Sequence, residues 1–228
     1  MRVCRGLALS LVALFAGAAP AQPVFFDDFD GDDLLPHWST PPDWHWEYEV
    51  SGGMLHVTDL LYPSDDHFGG NEALLAAVYD QQTDFRADVR MGWDTGDDPQ
   101  ELVIRLKGPQ GKIIATFGYS TLVSAPDHVI FASTNSGGVI EPAPPPGIYQ
   151  FTVVRSGAEF EFYFDDEPFA SFTDPFGTPA AGLDLWFVGP YPGELGAFHI
   201  DRVHVVPAPG VLSLIAAIGL CCPRHRRR

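Results

Sequence analysis

From Val24 to Val206 apolar residues recur at every second position in short runs, and no stretch carries the spacing of an amphipathic helix. Phe85, Ala87, Val89, Met91 and Trp93 share one face of such a run, with Arg86, Asp88 and Arg90 on the other. Leu102, Ile104 and Leu106 alternate with Glu101, Val103 and Arg105, and Phe160, Phe162 and Phe164 alternate with Glu159, Glu161 and Tyr163. Successive side chains of a strand point to opposite faces, so each run predicts a strand with one buried side. Further strands are expected at 24–29, 44–50, 54–59, 113–119, 128–132, 149–156, 182–188 and 197–205.

Turn residues separate these runs: Gly52-Gly53, Gly69-Gly70-Asn71, Gly108-Pro109-Gln110-Gly111, Asn135-Ser136-Gly137-Gly138 and Ser156-Gly157. Many short strands divided by such turns predict an all-β antiparallel sandwich. The proline-rich stretch from Glu141 to Gly147 is stiff and extended, which suits an ordered crossover between sheets. No internal repeat interrupts the pattern, and 22–206 reads as one domain.

The two ends break the alternation. Arg2 and Arg5 precede an apolar run from Gly6 to Phe15, and Ala19-Pro20-Ala21 supplies the small residues that a signal peptidase requires. Residues 1–21 therefore read as a signal peptide, a helix removed after Ala21. Between Gly210 and Cys222 the chain is uncharged and apolar for 13 residues, short of the ~20 needed for a span of about 30 Å. Pro207 and Pro209 prevent a helix from continuing out of the last strand, and Arg226, Arg227 and Arg228 would be held on the cytoplasmic side.

Charge then restricts the partners. The whole chain carries a net charge of -17, but six of its thirteen basic residues lie in these terminal segments, which hold no carboxylate. The seven that remain, against thirty acidic residues, leave 23–206 at -23. Such a field repels phosphate backbones, so nucleic acid is not an expected partner. The three cysteines, Cys4, Cys221 and Cys222, also lie at the ends, so the middle must be stabilised by its core and not by a disulfide.

Two resemblances follow from these residues. The tail, with Val206-Pro207-Ala208-Pro209, a short hydrophobic helix and a final arginine cluster, resembles the PEP-CTERM sorting signal of exported bacterial proteins, with Ala208 in place of the usual Glu. That resemblance implies transient retention in the inner membrane, processing of 207–228 by an exosortase-type enzyme, and delivery to the cell surface or extracellular matrix. The stretches "FFDDFDGDDLLPHW", "WEYEVSGGMLHV", "YQFTVVRSGAEFEFYFDDEPFASF" and "AFHIDRVHVV" resemble the concanavalin A-like lectin/glucanase superfamily. That resemblance implies a jelly roll of two curved sheets, here flanked by the N-terminal signal helix and the C-terminal hydrophobic helix.

Candidate chemistry is sparse. The Glu-x-Asp-x-x-Glu motif of the laminarinase-like relatives is absent, and no Gly-x-Ser-x-Gly elbow exists. Eight histidines are scattered singly, with no pair at the close spacing of a zinc site, so no metal ligand is assigned. Asp27, Asp28, Asp30, Asp32 and Asp33 read as a strand end and turn, with Phe26 and Phe29 docking into the core; a structural calcium is the alternative. Saccharides stack on exposed aromatic rings and bond to polar neighbours, which nominates Trp44, Trp46, Tyr62, Trp93 and Asp94. The sequence thus predicts an exported, non-enzymatic β-sandwich with weak polysaccharide binding. Its alternatives are a divergent glycoside hydrolase and a purely structural matrix protein.

Overall fold

A computed structural model describes residues 25–40, 46–59, 72–94, 100–121, 128–174, 176–188 and 197–207. The signal peptide and the tail beyond Pro207, with their two expected helices, lie outside the described residues. Among the described residues the chain forms fourteen strands, no α-helix, and one 3-10 turn at Pro109–Gly111. The strands are β1 (Phe25–Asp27), β2 (Trp46–Ser51), β3 (Met54–Asp59), β4 (Glu72–Gln82), β5 (Phe85–Trp93), β6 (Glu101–Lys107) and β7 (Ile113–Ser120). They continue with β8 (Val129–Thr134), β9 (Gly137–Pro142), β10 (Gly147–Ser156), β11 (Glu159–Phe164), β12 (Glu167–Thr173), β13 (Ala180–Val188) and β14 (Ala197–Pro207).

All pairings are antiparallel and make two sheets. An eight-stranded sheet has the order β12-β11-β10-β5-β14-β3-β2, with β1 also paired to β14; a six-stranded sheet has the order β4-β13-β6-β7-β8-β9. This is the arrangement of a jelly-roll sandwich. The alternation read in the sequence is the packing: Phe85, Ala87, Val89, Met91 and Trp93 are buried, as are Leu102, Ile104 and Leu106. The inner faces meet through aromatic pairs. Trp93 of β5 stacks on Tyr119 of β7 with centroids 3.8 Å apart, and Phe117 lies edge-on to Phe151 at 5.0 Å and to Phe162 at 5.4 Å. Residues 143–146 carry the chain from β9 in one sheet to β10 in the other, the crossover expected of the proline-rich stretch.

Two local features depart from the sequence reading. Phe26 does not dock into the core: it is 43% exposed, while Phe25, in register with Val205, points inward beside Phe29. One position decides the face, because strand side chains alternate. Asp27, from the acidic cluster, is buried and serves the fold. Its Oδ2 accepts a hydrogen bond from Trp38 Nε1 at 2.6 Å, and its Oδ1 accepts one from the Phe29 amide at 2.9 Å.

Among the described residues one cation lies fully inside. Arg155, at the end of β10, is 0% exposed and faces Asp174, with Nη2 3.3 Å from Oδ2. Its Nε donates to the Gly157 carbonyl at 3.0 Å, its Nη1 donates to the Thr178 carbonyl, and its guanidinium lies over the Phe160 ring. Burial pushes the guanidinium below its ordinary value, and the Asp174 and Asp84 carboxylates act against that.

Candidate functional site

The face of the six-stranded sheet that turns away from the core carries three ladders of side chains, each set by strand register. The first runs Val188, Glu101, Ser120, Val129; the second Trp186, Val103, Gly118, Phe131, Ile140; the third Asp184, Arg105, Thr116, Ser133, Gly138. The order is apolar in the middle and polar on both sides. A saccharide has the complementary pattern, apolar ring faces edged by hydroxyls.

Glu101 and Ser120 form one wall of a cavity of about 290 Å³, whose other lining includes Phe131, Ser133, Gly138 and Ile140. Ser120 Oγ donates to Glu101 Oε1 at 2.7 Å and so orients the carboxylate, and Ile140 beside it is 54% exposed. Gly118 is needed at the centre of this face: a Cβ there would come within 2.3 Å of the Leu102 carbonyl oxygen and 2.8 Å of Val103 Cα. A neighbouring strand approaches too closely for any side chain.

The third ladder concentrates charge. Asp184 is 1% exposed under Arg105 Nη2 at 3.2 Å, and Lys107 Nζ pairs with the same carboxylate oxygen. The Arg105 guanidinium also lies 3.8 Å from the centroid of Trp186. Held on two sides, Arg105 keeps one buried donor, Nε, without a protein acceptor. A buried N–H without a partner costs free energy, and a ligand oxygen would satisfy it.

A second cluster lies on the outer face of the eight-stranded sheet. β14 pairs with β3 so that His199 stands opposite His56, and the two Nδ1 atoms are 2.9 Å apart. His56 Nε2 bonds to the Ser51 carbonyl at 3.2 Å, and His199 Nε2 lies 2.7 Å from Asp94 Oδ1. These groups line a cleft of about 310 Å³ together with Met54, Trp93 and Ile148. Register thus corrects the reading of the histidines as scattered singly, because 143 residues of sequence separate a pair in contact.

The residues nominated from the sequence divide accordingly. Trp46 is 4% exposed and packs on Phe187 and Phe198, and Trp93 is 1% exposed against Tyr119, so neither ring offers a face to solvent. The alternation that suggested a stacking platform belongs to the core. Asp94 is exposed and reaches His199. Trp44, Tyr62, Ala19, Ala21, Ala208, Pro209 and the arginine cluster lie outside the described residues, while Val206 and Pro207 end β14. Glu101, Ser120, Phe131, Arg105 and Trp186 escaped nomination because they sit on three or more strands, and only the strand order brings them together.

No protein-family model matches the sequence, and no curated protein resembles it. The fold does have relatives among solved structures. The CBM2 module of the evolved Dit of Lactobacillus casei BL23 phage J-1 superposes with a TM-score of 0.63 at 14% identity, covering 83% of this chain and 97% of that one. The catalytic domain of the endo-1,3-beta-glucanase (laminarinase) of Thermotoga petrophila RKU-1 gives 0.60 at 15% identity, over 81% of this chain and 97% of its own. The endo-beta-1,3-glucanase of Pyrococcus furiosus gives 0.61 at 14%, over 83% and 95%. The likeness to these structures is one of fold, a jelly-roll sandwich of two antiparallel sheets. These neighbours correct the expectation of a non-enzymatic protein. That expectation rested on the two terminal signals, the strand pattern and the missing catalytic motifs, whereas most of the similar structures are named as glycoside hydrolases, which favours that alternative.

Proposed function

We propose that the chain is a glycoside hydrolase that lays a polysaccharide across the outer face of the six-stranded sheet, with Glu101 as one of its two reacting carboxyl groups. The observation that carries this reading is Glu101 itself, oriented by Ser120 in a cavity walled by Phe131 and Ile140. Hydrolysis of a glycosidic bond needs one carboxyl to protonate the leaving oxygen and another to activate water or attack the sugar. Along the backbone, Glu72 pairs with Val188 from the side opposite Glu101.

On this reading Phe131 and Ile140 support the apolar face of a sugar ring, and Arg105 Nε donates to a hydroxyl. Fold relatives named as 1,3-beta-glucanases make β-1,3-glucan the first substrate to try. Reducing-sugar release should appear with at least one polysaccharide, and Glu101→Gln should lower it by roughly 10²–10⁴-fold while leaving retention on the insoluble polymer unchanged. Full activity in the Glu101→Gln chain would sink the assignment, as would no release from any polysaccharide tested.

Export and sorting belong to the same proposal. The signal peptide delivers the chain across the inner membrane, and an exosortase-type enzyme acts at the Pro motif, leaving the enzyme at the cell surface. Support comes from the placement of Val206 and Pro207 at the end of β14, where tail and domain meet. Mass spectrometry of the surface form should find a C-terminus near Pro207, and an intact Arg228 there would contradict processing.

A further inference from the structure

The histidine pair on the eight-stranded sheet has no part in saccharide hydrolysis or sorting. We propose that His56 and His199 are the two protein ligands of a site for a divalent d-block cation, Cu²⁺ or Zn²⁺. The hydrogen bonds fix the protons. A carbonyl oxygen only accepts, so His56 Nε2 carries a hydrogen toward Ser51, and the Asp94 carboxylate likewise takes one from His199 Nε2. Both outer nitrogens are committed as donors, and the two Nδ1 atoms face each other at 2.9 Å. At that distance the two rings are hydrogen-bonded to each other, and both Nδ1 atoms point into the same space.

This is the orientation that metal-binding imidazoles require: the outer N–H is held by a carboxylate or a carbonyl, and the inner nitrogen is presented to the ion. Two nitrogens, each about 2.05 Å from a metal and at right angles, stand about 2.9 Å apart. A cation seated between them is held by both Nδ1 atoms, on rings that meet at 79°. No third His, Cys, Asp or Glu joins them among the described residues, so the remaining coordination positions fall to water or a ligand in the cleft.

The test titrates the full chain with Cu²⁺, and separately with Zn²⁺, by calorimetry in two buffers of different ionisation enthalpy. Electron paramagnetic resonance then follows the copper form. One ion per chain and hyperfine splitting from two nitrogens are expected. His56→Ala and His199→Ala should each weaken binding by at least ~100-fold, and Asp94→Asn by roughly 10–100-fold. Asp94 is 58% exposed, so the last variant keeps the fold and the test stays decisive even if a histidine variant does not fold. No one-to-one binding by the unaltered chain, binding untouched when both histidines are replaced, or unchanged affinity in Asp94→Asn would overturn the proposal.

Discussion

Arg155 shows how much one side chain holds. It ties the end of β10 to the Gly157 turn, to Thr178 and to Asp174, which is itself 2% exposed and accepts the Phe176 amide at 3.0 Å. Arg155→Ala leaves that carboxylate buried without its cation, and the expected loss is about 3–5 kcal/mol, read as a lower urea midpoint. An unchanged midpoint would mean that solvent reaches Asp174 freely. Residue chemistry of this kind is only partly legible in sequence. Trp46 and Trp93 look the same in an alternating run whether they serve a core or a ligand, and burial alone separates the two. Glu101 looked like any charge on a strand face until Ser120 and the cavity gave it surroundings.

At the scale of elements, the sequence is most readable where a strand is buried on one face. β5 and β11 were visible because their alternation is their packing. β4, β9 and β12 were not assigned, and all three are sheet edges. β9 is largely exposed, so no burial period is written into it, and β4 is an apolar run in which Val78 is 82% exposed. Turns carry their own chemistry. Asp165 and Asp166 close the β11–β12 hairpin at φ 48° and 65°, a conformation that favours glycine at the second position. Asp166→Gly should raise stability by roughly 0.5–1 kcal/mol, seen as a higher melting temperature; a fall would show that the Asp166 charge near Arg86 matters more. Gly118→Ala should act the other way, costing about 1–3 kcal/mol as β6 and β7 are forced apart, with a matching loss of polysaccharide retention. Retention at the unaltered level in a folded Gly118→Ala chain would argue against this face as the binding surface.

At the scale of the molecule, the sandwich offers two outer faces with different chemistry, carboxylate and aromatic on one, imidazole on the other, around a shared aromatic core. Which strands neighbour each other was the part hidden from sequence, since both sites depend on pairs of residues far apart along the chain. The order of the eight-stranded sheet adds one more point. β14 lies between β5 and β3 and also holds β1, so residues 197–207 join three parts of the sheet. A chain ending at residue 196 should lack the cooperative unfolding transition of the longer one, checked by circular dichroism and amide exchange; a two-state melt in the shortened chain would refute this. In time as well as in space the strand comes late. A ribosome emits this strand after β1, β3 and β5, which it must join, so the sheet stays open until residue 207 has been made. Such long-range closure is slow, and until then the parts of the sheet on either side of β14 stay unjoined.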